Sequence, residues 1–303
     1  MKFWRKKKQT VLFALFLGLL AAAMPVRAAE TYRNQWRTKL GHILYYDASG
    51  KRVAGIVTIN GKTYGFNQKG YLVKSGWVRI NGYKYRTSKT GRIRTGFVTL
   101  ADGKTRYFGK DGKRKSGWQK INGSYYYFDL DTGVMVTGKR VDRVLLGKDG
   151  KARGVEKRQQ KMDNLVRASQ IAESITTPKM SREQKLRACF RWVIQKPYYT
   201  RRVFQMADKE WPAAYASDIL NGKGGNCFSD AAAFAYLARA VGFEKVYACT
   251  DSGHAWTEID GDVFDPLLAE EYTRTGKQAD VFSDFYRISY QAFGKRQVFR
   301  YPI

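Results

Sequence analysis

The chain has 303 residues, a formal net charge of +29 and a mean hydropathy of −0.50, which exclude a bundle of membrane spans and leave room for two domains with separate cores. Its two histidines, His42 and His254, and three cysteines, Cys189, Cys227 and Cys249, fall in no zinc-like spacing, so neither metal nor cofactor is expected. The charge is uneven: residues 31–154 carry net +20 and residues 155–303 only +4, which points the first half towards anionic partners.

Residues 1–29 read as a secretory signal peptide, with basic MKFWRKKKQ, an apolar run over 11–26 and a small-residue cleavage region at Arg27-Ala28-Ala29. The run is shorter than the roughly 20 residues that span a bilayer. No stable membrane span is expected after cleavage. An exported chain with three cysteines leaves at least one thiol unpaired. Cys189 and Cys249 read either as a disulfide or as two reduced, inert, buried residues, the second being favoured.

Residues 30–150 repeat themselves. Gly55-Ile56, Gly76-Trp77, Gly96-Phe97, Gly117-Trp118 and Gly138-Lys139 recur every 20 or 21 positions. Within the first four periods stand Asn60-Gly61, Asn81-Gly82, Asp102-Gly103 and Asn122-Gly123, each a hairpin-turn signal, followed by aromatics such as Tyr64, Tyr85, Tyr107 and Tyr126. Tyr45-Tyr46 with Gly50 reads as a truncated leading copy. One such hairpin cannot bury its aromatics, so successive hairpins are expected to stack into an all-β solenoid.

Residues 151–180 read as a linker leading into helix, and 181–303 as an α+β domain. Ser181-Arg182-Glu183-Gln184 fits a capping box for a helix to about Gln195, stopped by Pro197. A further helix is expected over 211–220. Cys227 then follows Gly224-Gly225-Asn226 and opens a run of helix formers to Val241, closed by Gly242. A thiol at a helix N-terminus is favoured as thiolate, and the free N–H groups there can receive an oxyanion. The preceding glycines would let substrate approach. The spacing of Cys227, Ala231, Phe234, Ala238 and Val241 reads equally as one buried helix face.

A strand is expected at 246–250 and another from His254 to Ile259. Asp260-Gly261 reads as a two-residue turn pairing Ile259 with Asp262, which sets Asp265 diagonal to His254 within reach of its imidazole. Alternatively, Asp265-Pro266 is a plain turn and His254 a surface residue. The segment 281–303 reads as strands without assigned chemistry.

Two resemblances follow from these motifs. Gly-x-Cys at a helix start, His254-Ala255-Trp256 on the next strand and Asp265-Pro266 after a hairpin look like the transglutaminase-like core of the papain-type superfamily, over about residues 181–270. The resemblance implies Cys227 as nucleophile, His254 as general base and acid, and Asp265 as the orienting acid, with Pro197-Tyr198-Tyr199 similar to a Tyr-containing segment before the nucleophile. The Gly-Trp, Asn-Gly and Tyr-Tyr-Phe elements over about 41–150 resemble cell-wall-binding repeats of the choline- or glucan-binding type. That resemblance implies wall-polymer ligands (teichoic acid, choline or glycan), with Trp77, Tyr85, Trp118 and Tyr126 as candidate contacts.

The resulting expectation is a secreted, wall-associated cysteine enzyme of a Gram-positive bacterium, attached non-covalently and hydrolysing peptide or isopeptide bonds in a protein or peptide substrate. The alternatives are a cross-linking transglutaminase with an amine acceptor, or an inactive wall-binding protein. Nucleic acid is not an expected partner, for want of a nucleic-acid motif in an exported chain.

Overall fold

The computed structural model describes residues 32–199, 211–251, 253–276 and 280–303; the leader at 1–29 lies outside the described residues. The first half is a column of antiparallel hairpins: β1 (Gln35–Lys39) with β2 (His42–Tyr46), β3 (Gly55–Ile59) with β4 (Lys62–Phe66), β5 (Trp77–Ile80) with β6 (Tyr83–Arg86), β7 (Gly96–Thr99) with β8 (Thr105–Phe108), β9 (Gly117–Ile121) with β10 (Ser124–Phe128), and β11 (Arg140–Val141) with β12 (Val144–Leu145). Asn60, Asn81 and Asn122 take φ of 48°, 51° and 47°, and each following glycine is also left-handed, as a tight turn matching strand twist requires.

Asp102-Gly103 departs from this rule. Thr99 pairs with Thr105, so residues 100–104 form a longer loop. In it the Asp102 carboxylate accepts the Lys104 N–H and binds Arg106 at 2.8 Å, a local bonding option that asparagine lacks as an ion.

The stacking expected of the hairpins is built by main-chain bonds. The segment after each hairpin donates back to the hairpin before it: Leu72 to the Ile43 carbonyl at 2.8 Å, Ile93 to Thr63 at 2.8 Å, Arg114 to Lys84 at 2.9 Å, Met135 to Thr105 at 2.8 Å and Ala152 to Tyr125 at 2.8 Å. Phe66, Phe108 and Phe128 are fully buried within the column, so the core lies along it and between neighbours.

The second half places α1 (Gln159–Ile175), α2 (Arg182–Val193), α3 (Trp211–Leu220) and α4 (Cys227–Ala240) against an antiparallel sheet. Its strands are β13 (Val246–Thr250), β14 (Ala255–Ile259), β15 (Asp262–Phe264), β16 (Tyr286–Ile288) and β17 (Phe299–Pro302), in the order β16-β15-β14-β13-β17. Three more helices, α5 (Pro266–Thr275), α6 (Val281–Asp284) and α7 (Tyr290–Phe293), complete it. The C-terminal stretch therefore mixes helix with strand.

The helix starts follow local chemistry. Ser181 and Gln184 form the reciprocal capping box, at 3.1 and 2.8 Å, and α2 buries Leu186, Cys189, Phe190 and Val193. In α4 the alanines Ala231, Ala232, Ala233, Ala235 and Ala238 are all fully buried. The sequence suggested one buried face; the structure buries the helix nearly all round, because short side chains let α1, α2, α3 and the sheet approach it together.

Residues 159–175 tie the two halves together. Helix α1 packs Met162, Leu165, Ala168 and Ile171 into one core with Trp118 and Tyr125 of the β9–β10 hairpin. Lys115 meets Glu173 at 2.7 Å, and the Tyr125 hydroxyl donates to Asp163 at 2.6 Å. No helix among the described residues is long and apolar enough to cross a membrane.

Candidate active site

Cys227 is the first residue of α4 and is half-buried. Asn226, extended at the N-cap, accepts the Ser229 N–H on its side chain at 3.3 Å, which satisfies one of the first-turn donors. The two glycines before it serve the chain itself more directly than a substrate. A Cβ at Gly225 would lie 2.2 Å from that of Ser229, and one at Gly224, where φ is +72°, would lie 2.4 Å from the Pro197 carbonyl oxygen. The same loop is held by bonds from the Gly225 N–H to Pro197 at 3.1 Å and from the Tyr199 N–H to the Gly225 carbonyl at 2.6 Å. Half-exposed Tyr198 and Tyr199 thereby border the nucleophile loop.

His254 directly precedes β14, which begins one residue later than the expected strand. Its N–H donates to the Asp251 carboxylate at 2.7 Å and its carbonyl accepts the Thr250 hydroxyl at 2.7 Å, fixing the backbone where the strand begins. The hairpin at Asp260-Gly261 has the expected register, Ile259 with Asp262 and Thr257 with Phe264. The chain then leaves the sheet, and Asp265 becomes the N-cap of α5, with its Oδ1 accepting the Leu268 N–H at 3.1 Å and Pro266 opening the helix.

The remaining carboxylate oxygen, Asp265 Oδ2, stands 2.6 Å from His254 Nε2. Asp265 is completely buried. Cys227 is near enough to the same imidazole to favour its charged form. Burial works against its charged form, but the bond to Asp265 and the nearby Cys227 outweigh burial and lift the His254 pKa to about 9. The three side chains singled out from sequence are thus brought together, each from a different element.

Two acids beside them went unnoticed in the sequence. Asp230, one turn after Cys227, is 1% exposed, and neither carboxyl oxygen has a hydrogen-bond partner among the described residues. Burial, then the charges of Glu270, Cys227 and Asp265, hold its carboxyl well above the usual carboxylate range. Burial likewise lifts Glu270 to about 7, against the opposing pull of Arg274 and the Tyr198 N–H. An i, i+3 spacing from Cys227 is the signal that could have drawn attention to Asp230.

All three cysteines are free. Burial pushes the Cys189 and Cys249 thiols up to about 12.

In the repeats, Trp118 is not available as a ligand contact. It is 2% exposed, its indole N–H donates to Asp142 at 2.6 Å and its backbone N–H to Ser169 at 3.2 Å. Apolar packing under α1 has claimed the ring that the repeat pattern alone assigned to a ligand. Tyr85 and Tyr126 are also largely buried, the latter 5.1 Å from the Phe97 ring. Trp77 is half-buried, with the Arg86 guanidinium 5.5 Å over it.

Residues 169–262 match the family model of the transglutaminase-like superfamily and residues 115–144 that of the choline-binding repeat. The chain joins choline-binding repeats to a transglutaminase-like domain. The transglutaminase-like match contains Cys227 and His254 and ends before Asp265. Glucosyltransferase-S of Streptococcus mutans is 35% identical over 39% of this chain and 10% of its own. Choline binding protein F of Streptococcus pneumoniae, solved in the presence of a peptidoglycan analogue, is 28% identical over 39% of this chain and 40% of its own, with a TM-score of 0.35. The modular autolysin LytC of the same organism is 23% identical over 40% of this chain and 28% of its own, with a TM-score of 0.34. The chain thus spans well under half the length of each of these proteins.

Proposed function

We propose that this protein is an exported, wall-associated cysteine enzyme that hydrolyses peptide or isopeptide bonds through Cys227, His254 and Asp265. The observation that carries the reading is the His254 imidazole, bonded on Nε2 to buried Asp265 at 2.6 Å, with the Cys227 side chain near enough to favour its charged form.

With Nε2 engaged by Asp265, Nδ1 is left for the thiol, so the ring is oriented before substrate arrives. Cys227 attacks the amide carbonyl and the oxyanion forms at the start of α4, where main-chain N–H groups and the helix dipole favour negative charge. His254, as imidazolium, protonates the leaving amine. It then takes a proton from water, which attacks the thioester and releases the acid. Asp265 stabilises the imidazolium at each passage.

The test incubates the full chain with isolated cell walls and counts newly released amino and carboxyl termini by mass. Wild type should release both, and Cys227→Ala neither. Equal release by the two proteins would overturn the assignment, and amine-linked products in place of free acids would replace hydrolysis by transamidation.

A further inference from the structure

A cleft of about 1090 Å³ lies on the seam between the repeats and the second half. One wall comes from the β5–β6 and β9–β10 hairpins and the segments after them, the other from α1, α2 and the C-terminal end of α4. The catalytic candidates are not among its lining residues. Cys227 opens α4 and the cleft lies at its other end, about 20 Å along a helix of 14 residues.

Four cations that line it, Lys84, Arg114, Lys139 and Lys185, form no ion pair among the described residues. Of the lining acids, Glu173 is engaged by Lys115 and Asp129 accepts the Thr132 N–H and hydroxyl. Asp131 and Glu244 also face the cleft. Lys84 and Arg114 sit on adjoining repeats, linked by the main-chain bond between them. Arg114 lies over Gly133, where a Cβ would fall 2.6 Å from its side chain. The Arg114 charge, ahead of burial and of Arg79 and Arg106, holds Lys84 below its ordinary pKa against the pull of Asp131; burial and Arg106 do the same to Arg114 against Asp129 and Asp131. Like charges held together in a cleft form a site that an anion relieves.

We infer that this cleft binds a strand of a phosphodiester-linked polyanion that carries no bases. The aromatic lining argues for the absence of bases. Lys113 already lies 4.4 Å over the Tyr83 ring, Arg182 lies 4.6 Å over Phe243, and Tyr127 packs edge-on against Trp118 at 5.4 Å. Each of these rings already has a cation or a second ring against it, which leaves less of a stacking platform than a single-strand nucleic-acid site presents. Lysine and arginine donors on opposite walls suit a polymer of repeated phosphates. The inference rests on the wall-associated location proposed above only for where such a polymer is met; it requires neither turnover nor an aromatic choline site.

The test measures binding of purified poly(glycerol phosphate) to the full chain in solution, as a function of salt. Lys84→Ala on the repeat wall and Lys185→Ala on α2 should each weaken binding about tenfold and flatten the salt dependence. Lys62→Ala with Lys69→Ala, a loss of two charges away from the cleft, should change it less than about twofold. Lys84→Arg should restore binding. Equal weakening by the distant pair would overturn the site in favour of diffuse attraction. Tighter binding of single-stranded DNA of matched charge would overturn the base-free class. Because Lys185 is on a helix surface of the second half, its variant reports on the cleft even where a repeat variant fails to fold. Turnover is not read, so a failure here is distinct from a failure of the hydrolase reading.

Discussion

His254 and Asp265 meet at 2.6 Å across a hairpin whose strands diverge just where the pair forms. Asp265 has two duties there, since one carboxylate oxygen orients the imidazole and the other caps α5 at 3.1 Å.

The two duties separate by substitution. Asp265→Asn keeps a cap acceptor but loses the charge that stabilises the imidazolium, so turnover should fall by roughly 10³–10⁴ with little change in the urea midpoint. Asp265→Ala should show the same loss of turnover and also lose about 1 kcal/mol of stability. Turnover within tenfold of wild type in Asp265→Asn would remove Asp265 from the mechanism.

Thiol chemistry should single out one cysteine. Cys189 and Cys249 are fully buried with thiols pushed up to about 12, whereas Cys227 is half-buried at a helix start. Brief iodoacetamide at pH 7 should add one carbamidomethyl group, mapped to Cys227. His254→Ala should slow that reaction at least tenfold. Comparable labelling of all three thiols would argue against an activated pair.

Stability should fall as pH rises, in two windows. Glu270 is raised from 4.5 to about 7, so its contribution is complete below pH 4.5 and lost as pH climbs through 7. His254 is raised from 6.5 to about 9, so its contribution is complete below pH 6.5 and lost as pH climbs through 9. Glu270→Gln should lessen the lower fall, to which Asp230 with its raised carboxyl also contributes, and His254→Gln should abolish the upper one, read as urea midpoints at pH 5, 7 and 9. A wild-type midpoint that rises between pH 5 and 7 would contradict the first assignment.

The repeat tryptophans should behave oppositely. Trp118 donates to Asp142, and Asp142 also binds the Arg239 guanidinium, so Trp118→Ala opens a cavity and strips a donor from a buried carboxylate. It should cost roughly 3–5 kcal/mol. Trp77, half-buried, should when changed to alanine leave the melting temperature within a few degrees and reduce retention on isolated walls. Full retention at physiological salt, lost in high salt, would assign wall binding to charge instead.

How much was legible in sequence follows from how local each decision was. The Asn-Gly turns, the Ser181–Gln184 box, the start of α4 and the Asp260-Gly261 register depend on backbone preferences within a few residues, and a linear reading reaches them. The 20- or 21-residue period likewise made the stacked hairpins readable, since each copy can bury its aromatics only against the next.

Tertiary packing alone decided the rest. Trp118 and Trp77 share one motif, yet α1 covers the first and not the second. Gly225 is required by the Ser229 side chain four positions on, a contact that exists only once the helix has formed. Asp230 and Glu270 stand on different helices, and only the packing of α4 against α5 places them together, with both Asp230 oxygens and one of Glu270's left without a donor among the described residues. Burial, desolvation and contact between distant segments are properties of the folded volume, which the order of residues constrains but does not display.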